Sequence, residues 1–197
     1  MKCRECGADA LEKVKPEPYT TLDRVRITLH GGVERRLCGN CGEGEVLISA
    51  MGPLYFAVVR ALIRKPTRLA GTEIVFLRKL LGFNSTDLAR TLGVSLTTVS
   101  RWEHDTNPID GGYDRALRLL GARFAQDDGE DLVEAFAAIR STSGKVAPLG
   151  FDLDFAEKAW QVTRAEPETA TGCVRVREAK AQKAKALGRK RARAAKR

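Results

Sequence analysis

Two Cys-x-x-Cys-Gly units near the N-terminus constrain this chain of 197 residues more than any other feature. The first unit is Cys3-Arg-Glu-Cys6-Gly7 and the second is Cys38-Gly-Asn-Cys41-Gly42. Two thiolates three positions apart can reach one ion from a tight turn, and the glycine that follows permits a positive φ. The spacing therefore predicts that the four cysteines meet around one metal ion.

The segment between the two units is expected to form a β-hairpin. Leu22, Val25, Ile27 and Leu29 partly alternate with polar residues, and Gly31-Gly32 precedes a second stretch from Val33 to Leu37. A glycine pair between two such stretches is typical of a hairpin turn. Residues 1–48 hold few large apolar side chains, so this unit needs a metal to fold. Four thiolates leave no open position for water, which predicts one structural Zn²⁺.

Disulfides and a redox-active pair are the alternatives for these cysteines. Disulfides need an oxidising compartment, but the N-terminus, MKCRECGADALEK, lacks the apolar stretch of a signal peptide. No apolar run approaches the ~20 residues that cross a bilayer. We therefore expect a cytoplasmic protein with reduced thiols. A thioredoxin-like site uses one such motif on a βαβ unit, not two around a hairpin.

Residues 83–107, FNSTDLARTLGVSLTTVSRWEHDTN, have the pattern of two short helices joined by a tight turn. Asn84 or Ser85 can cap the first helix, and Ser95 can cap the second. Gly93 suits the position after the first helix, where φ is positive. The pattern predicts a helix-turn-helix, which presents its second helix to the DNA major groove. An ordinary helical bundle with a Gly-Val-Ser turn is the alternative.

The side chains of the second helix are expected to divide between core and DNA. Val99 falls on the buried face, and Trp102, three positions later, is expected in the core. Thr97 and Thr98 fall on the outer face, where threonine can touch thymine methyl groups or donate hydrogen bonds. Arg101 lies one turn later and can bind guanine O6 and N7, or a phosphate.

The stretch from Leu88-Ala89 through Gly93-Val94-Ser95 to Ser100-Arg101-Trp102-Glu103 resembles Xre-type, phage-repressor-like regulators. With two Cys-x-x-Cys-Gly units in front of it, residues 1–121 resemble the MqsA-type antitoxins, which carry a YgiT-type zinc finger. The resemblance implies a structural zinc finger in a toxin-binding half. It also implies a helix-turn-helix half that dimerises, binds a palindromic operator and represses its own operon.

The resemblance also implies positions for the functional residues. The metal ligands fall on Cys3, Cys6, Cys38 and Cys41. The recognition helix of the family uses an asparagine and an arginine; the arginine falls on Arg101, but Thr97 stands at the asparagine position, which implies a different operator. Xre domains often place a phosphate-binding glutamine where this chain has Ser85. The candidate DNA contacts are Ser85, Thr97, Thr98, Ser100 and Arg101.

The net charge of +9 is concentrated at the C-terminus. Residues 174–197 carry eleven basic side chains and one acidic side chain, whereas residues 122–173 carry five basic and ten acidic ones. Residues 71–121 sum to zero. Attraction for phosphates is therefore expected from the basic run at residues 60–68, from Arg90 or from the tail.

These patterns predict five segments. They are a zinc module (1–48), a connecting helix and linker (49–70), the helix-turn-helix domain (71–121), an acidic, partly helical extension (122–173) and a basic low-complexity tail (174–197). Helical fragments are predicted at 132–139 and 155–162. We expect a mostly α fold with a small β, zinc-ribbon-like N-terminal module and a lambda-repressor-like helical bundle, each with its own core.

The expected function is sequence-specific regulation of transcription, as a repressor that binds double-stranded DNA as a homodimer. The alternative is an antitoxin that binds a toxin through the zinc module and represses its own operon. An enzyme is not expected, because the sequence has neither a paired-carboxylate motif nor a phosphate-binding loop, and it has two histidines. A packaging protein led by the tail is a further alternative; it would ignore DNA sequence and lose affinity steeply with salt.

Overall fold

The computed structural model describes residues 2–14, 18–140 and 146–167, so Cys173 and the basic tail lie outside the described residues. Its strands are β1 (Leu11–Val14), β2 (Tyr19–Asp23), β3 (Val25–His30), β4 (Val33–Cys38), β5 (Gly44–Ile48), β6 (Leu149–Ala156) and β7 (Ala159–Pro167). Its helices are α1 (Met51–Ile63), α2 (Gly71–Leu80), α3 (Ser85–Leu92), α4 (Leu96–Glu103), α5 (Gly111–Phe124) and α6 (Leu132–Ala137). Within this described part, no helix has the length and apolar character to cross a membrane.

The strands form two sheets. A three-stranded antiparallel sheet has the order β1-β4-β5, and a four-stranded sheet has the order β2-β3-β6-β7. In the second sheet β3 and β6 are parallel, with Arg26 opposite Gly150 and His30 opposite Asp154. A parallel pair needs a long crossover connection. Here that connection contains β4, β5 and all the helices from α1 to α6.

The hairpin predicted across Gly31-Gly32 is wrong, because β3 and β4 belong to different sheets. Both glycines have positive φ, 75° and 60°, where the chain turns from one sheet into the other. A Cβ atom on Gly32 would lie 2.7–2.8 Å from side-chain atoms of Phe155 and Trp160. The β6–β7 hairpin therefore fills the space beside this corner, and β3 pairs with β2 and β6 instead of β4.

The expectation of a mostly α fold is not confirmed, since the structure is 38% helix and 27% strand. The helical fragment predicted at 155–162 is wrong; these residues belong to the β6–β7 hairpin. Its turn residues, Glu157 and Lys158, have φ of 50° and 64°. Asn and Gly are the usual residues at such positions, so this turn has no recognisable sequence signal.

The helices follow the sequence pattern more closely. Pro53 lies in the first turn of α1, which ends before Lys65-Pro66. Four helices, α2 to α5, occupy the stretch in which a helical bundle is expected. The fragment predicted at 132–139 is confirmed as α6, which ends two residues earlier.

One apolar core runs through strands and helices, instead of the separate cores expected. Side chains of β3 and β6 alternate inward and join α1, α2 and the helix-turn-helix in the same cluster. Fully buried members include Ile27, Leu29, Val58, Leu62, Ile74, Leu77, Leu88, Val99, Phe151 and Leu153. The described residues up to Pro167 belong to one compact unit.

A buried ion pair joins the start of β6 to the first turn of α2. Lys65 Nζ lies 2.9 and 2.7 Å from the two carboxylate oxygens of Glu73 and donates to the carbonyl of Ala147. The same carboxylate accepts from the backbone amides of Ala70 and Leu149, both at 2.7 Å. Burial raises the pKa of Glu73, and Lys65 and the two amides oppose that rise. Every charge in this pair is matched, as a buried pair requires.

A second buried pair lies on α5. The Arg118 guanidinium donates to Asp114 and to the carbonyls of Ile63, Lys65 and Thr67, all within 2.6–2.9 Å. These bonds hold the linker between α1 and α2 against α5. Sequence reasoning did not single out either buried pair.

The basic run at residues 60–68 is therefore not a set of free cations for phosphates. Lys65 is 3% exposed and pairs with Glu73. Arg64 forms ion pairs with Asp127 and Asp131, and Arg60 donates to backbone carbonyls after α5. Arg64 and Lys65 are thus already paired with carboxylates, whereas Arg60 is exposed and bonds to neutral carbonyls, and attraction of DNA by this run stays a prediction.

Candidate metal centre and candidate DNA interface

Each Cys-x-x-Cys-Gly unit folds into a tight turn with the same hydrogen bonds. The amide of Gly7 donates to the carbonyl of Cys3 at 2.9 Å, and the amide of Gly42 donates to that of Cys38 at 2.8 Å. The two glycines have φ of 71° and 74°. Glycine adopts positive φ without steric cost, which explains why a glycine follows the second cysteine of each unit.

The two turns bring the four predicted ligands together. The four Sγ atoms all lie within 4.8 Å of one another. Sγ of Cys3 is 3.6 Å from that of Cys41, and Sγ of Cys6 is 3.6 Å from that of Cys38. In a tetrahedral zinc site with Zn–S bonds of about 2.3 Å, sulfur atoms lie about 3.8 Å apart. The cluster could therefore hold a metal ion such as zinc.

The surroundings shift the pKa values of two of these cysteines in opposite directions. Hydrogen bonds from the Ala8 amide and then the Asn40 side chain lower the pKa of Cys6 to about 6. At Cys41 the Glu43 amide lowers the pKa, but desolvation and the neighbouring cysteines outweigh it and raise the pKa to about 12. A thiolate at one cysteine of the cluster therefore disfavours deprotonation of its neighbour. A divalent cation would remove that conflict and allow all four thiolates to form.

The helix-turn-helix has the local structure that the sequence predicts. The Asn84 side chain accepts from the amide of Asp87 at 2.8 Å and caps α3. Gly93 ends α3 with φ of 68°, and the amide of Val94 returns to the carbonyl of Ala89 at 2.9 Å. Ser95 caps α4 through the amide of Thr98. The turn between α3 and α4 is therefore encoded by short-range interactions.

Longer-range contacts fix α4 against its neighbours. A Cβ atom on Gly71 would lie 2.5 Å from the carbonyl oxygen of Glu103, so the start of α2 touches the end of α4. The Glu103 carboxylate accepts from Arg78 of α2 at 2.5 Å and from the hydroxyl of Ser85 at 3.3 Å. Trp102 is buried and packs on Tyr113, with 5.3 Å between ring centroids. Trp102 thus belongs to the core, as expected.

The exposed side chains of α4 occupy one arc of the helix. At about 100° per residue, its four exposed residues fall within about 140°, and Val99 and Trp102 face the other way. The four are Leu96, Thr97, Ser100 and Arg101. Of these, Leu96 was missed by sequence reasoning. The sequence shows that a leucine follows the N-cap serine, but an apolar residue at that position is normally interpreted as part of the core.

The predicted DNA contacts divide into two groups. Within the described part of the chain, the side chains of Thr97, Ser100 and Arg101 make no hydrogen bond or ion pair, so all three are available to a ligand. The hydroxyl of Thr98 lies 2.8 Å from that of Ser95, and the hydroxyl of Ser85 donates to Glu103. These two serve the fold in the free protein.

A helix-turn-helix family model of the Xre type matches residues 76–111, from within α2 to the first residue of α5. The match spans α3, the turn and α4, and it indicates a DNA-binding segment. Comparison of the chain with curated proteins and with solved structures finds no match in either.

Proposed function

We propose that this protein is a sequence-specific DNA-binding regulator of transcription that acts as a repressor. The observation that carries the proposal is the exposed arc of α4. Within the described residues, its side chains Thr97, Ser100 and Arg101 form no hydrogen bond or ion pair, and they lie in the segment that the helix-turn-helix family model matches. Side chains in this position can contact base edges in the major groove. The protein would act by binding, not by catalysis, in the cytoplasm.

The charge distribution around the helix-turn-helix favours sequence-specific DNA binding over nonspecific binding to phosphates. Residues 71–121 have no net charge, and Arg64 and Lys65 form ion pairs within the fold. Arg90 on α3 pairs with Asp87, which weakens its attraction for phosphate. Base contacts must therefore supply much of the selectivity. Binding as a homodimer would double these contacts on two half-sites.

The N-terminal module is proposed to hold one structural Zn²⁺ through Cys3, Cys6, Cys38 and Cys41. When bound, the ion would join the two cysteine turns and stabilise the small three-stranded sheet, whose own apolar content is low. Elemental analysis of the purified protein should find one zinc per chain. A folded N-terminal module without metal would contradict this part of the proposal.

The regulatory proposal is tested by selecting bound sequences from random DNA with the full chain, at several salt concentrations. We expect recovery of one motif, bound about 10³-fold or more tightly than scrambled DNA. A packaging protein led by the tail would recover no motif and would show steep loss of affinity with salt on every sequence. That outcome would reject the proposal.

An antitoxin is the second candidate, and one observation favours it. Leu37 and Val46 are 38% and 41% exposed, and the register places both on one face of the three-stranded sheet. Adjacent exposed apolar side chains are more typical of a surface that binds protein than of one that binds DNA. The zinc module would then hold a toxin.

The test is co-expression with the product of each neighbouring gene. A toxin partner should bind the full chain, and its toxicity should disappear on co-expression. Leu37→Asp together with Val46→Asp should abolish the complex, whereas Val133→Asp, at a residue 78% exposed on α6, should not. Absence of any toxic neighbour would leave the repressor as the surviving candidate.

A further inference from the structure

Leu96 is an exposed apolar residue at the first position of α4. Its side chain is 51% exposed, although Val99, three positions later on the same helix, is fully buried. It therefore contributes little to the core, and single exposed leucines are common on protein surfaces. Its position distinguishes it from the others, because it is the only large apolar side chain within the exposed arc described for α4.

The neighbours of Leu96 within this arc are polar, and their side chains form no hydrogen bond within the described residues. Thr97 is adjacent, and Ser100 lies one turn further along the same side of the helix. In a helix-turn-helix, the N-terminal residues of the second helix contact base edges. The major-groove edge of thymine carries a methyl group, which binds through apolar contact. No other base offers a comparable apolar group in that groove.

We propose that Leu96 is a specificity-determining residue that recognises the 5-methyl group of a thymine in the DNA site. This inference rests on the proposed DNA-binding function. Burial of the methyl group against the leucine side chain removes both apolar surfaces from water. A site with another base at that position leaves the leucine facing polar groups, and it is bound less tightly.

The experiment removes the methyl group from one thymine at a time. Each thymine of the selected DNA motif is replaced by deoxyuridine, which keeps the base pair and loses only the 5-methyl group. At one position of each half-site, wild-type affinity should fall about fourfold, the effect of about 0.8 kcal/mol for one buried carbon group. Leu96→Ala should bind thymine and uracil at that position equally well.

Two further variants separate recognition from folding. Leu96→Met keeps an apolar side chain and should retain the discrimination between thymine and uracil. Leu119→Ala removes a leucine that is 56% exposed on α5, and it should leave the discrimination unchanged. Thermal unfolding of all variants should match that of the wild type, since both leucines are exposed.

The outcomes distinguish this inference from the function on which it rests. If the wild type selects a motif but no thymine shows a methyl effect that Leu96→Ala abolishes, the inference is overturned and the proposed function stands. If no motif is selected at all, both are overturned. A methyl effect that disappears only in Leu96→Ala supports the inference.

Discussion

Gly71 shows how a single position can hold the DNA-binding helix in place. The carbonyl oxygens of Glu103 and Trp102 would lie 2.5 and 2.7 Å from a Cβ atom there, and both belong to backbone that cannot rotate away. The amide of Gly71 also donates to the Asp105 side chain at 2.7 Å. The absence of a side chain therefore sets how closely α2 and α4 approach each other.

Gly71→Ala should destabilise the protein by about 1–3 kcal/mol, the usual cost of forcing extra volume into a packed contact. The measurement is the free energy of unfolding in urea. Gly52→Ala is the matched control, because a Cβ atom on Gly52 of α1 meets nothing within 4 Å. That variant should be neutral or more stable by up to about 1 kcal/mol. Equal effects of the two substitutions would refute the close contact.

Arg101→Ala should weaken binding to the selected motif by about 1–3 kcal/mol, the range for loss of a bidentate base contact. The reason is that the guanidinium is exposed and unpaired in the described part of the chain. Affinities for the motif and for scrambled DNA give the measurement. Arg123→Ala, at an exposed arginine on α5, should change neither much. If Arg101→Ala recovers the same motif at equal affinity, Arg101 does not read bases.

At the scale of elements, the loop after α5 is held by the arginine that follows α1 at its C-cap. Arg64 donates to both Asp127 and Asp131, and to the latter at 2.7 Å from two nitrogen atoms. Its guanidinium holds the pKa of Asp127 and of Asp131 below the ordinary value of 3.8. Each carboxylate is thus stabilised in its charged form in the folded protein, and α6 follows directly after this contact.

The sign of the pH dependence follows from these lowered pKa values. The contribution to stability is complete above the unfolded pKa of 3.8 and disappears as the pH falls through the lower folded values. Arg64→Met should therefore be less stable than the wild type at pH 7, with a difference that shrinks as the pH falls below about 4. Unfolding in urea across this pH range measures the difference.

Arg164→Met provides the control for the Arg64 experiment. The ion pair of Arg164 with Glu166 has both side chains more than half exposed, so its removal should change stability little at any pH. A stability difference for Arg64→Met that stays constant from pH 7 to pH 3 would argue for lost packing instead of lost charge.

At the scale of the whole molecule, the N-terminal strands belong to two different sheets, and β3 lies in the four-stranded one. Its apolar side chains join the core with β6, while β1, β4 and β5 form the sheet next to the cysteines. The Trp160 indole donates to the carbonyl of Ser49 at 2.8 Å, so the β6–β7 hairpin also contacts the residue that directly follows the cysteine-containing segment 1–48. Loss of metal should therefore affect only part of residues 1–48.

Removal of zinc by a chelator, or Cys38→Ser, should unfold the three-stranded sheet and leave the rest folded. In hydrogen exchange, the amides of β1, β4 and β5 should lose protection, whereas those of β3 and the helices should keep it. Cys173→Ser, at a cysteine that belongs to neither Cys-x-x-Cys-Gly unit, should change nothing. Loss of protection throughout β3 would mean that the metal also stabilises the shared core.

Deletion of residues 174–197 removes ten net positive charges and should lower affinity for any DNA. The factor should be similar for the selected motif and for random DNA, the preferred sequence should not change, and the dependence on salt should become weaker. Affinity against salt concentration for the full and truncated chains is the measurement. An unchanged salt dependence would instead favour pairing of the tail with acidic residues of 122–173.

The amino-acid sequence by itself determined the local motifs of this protein. The cysteine turns need a positive φ at Gly7 and Gly42, and the turn of the helix-turn-helix needs one at Gly93. The caps at Asn84 and Ser95 bond to amides three residues away. Interactions of such short range are readable from spacing alone, which is why the cluster of four cysteines and both helices of the helix-turn-helix could be located.

Only the tertiary structure decided what depends on residues distant in the chain. The partner of β3 is β6, more than 120 positions later, and no local pattern distinguishes it from β4. Arg64 and Lys65 form ion pairs with acidic residues from other parts of the chain. Leu96 is exposed because the buried face of α4 is already formed by Val99 and Trp102. Packing chooses among partners that are locally equivalent, and it does so through contacts that no short stretch of sequence contains.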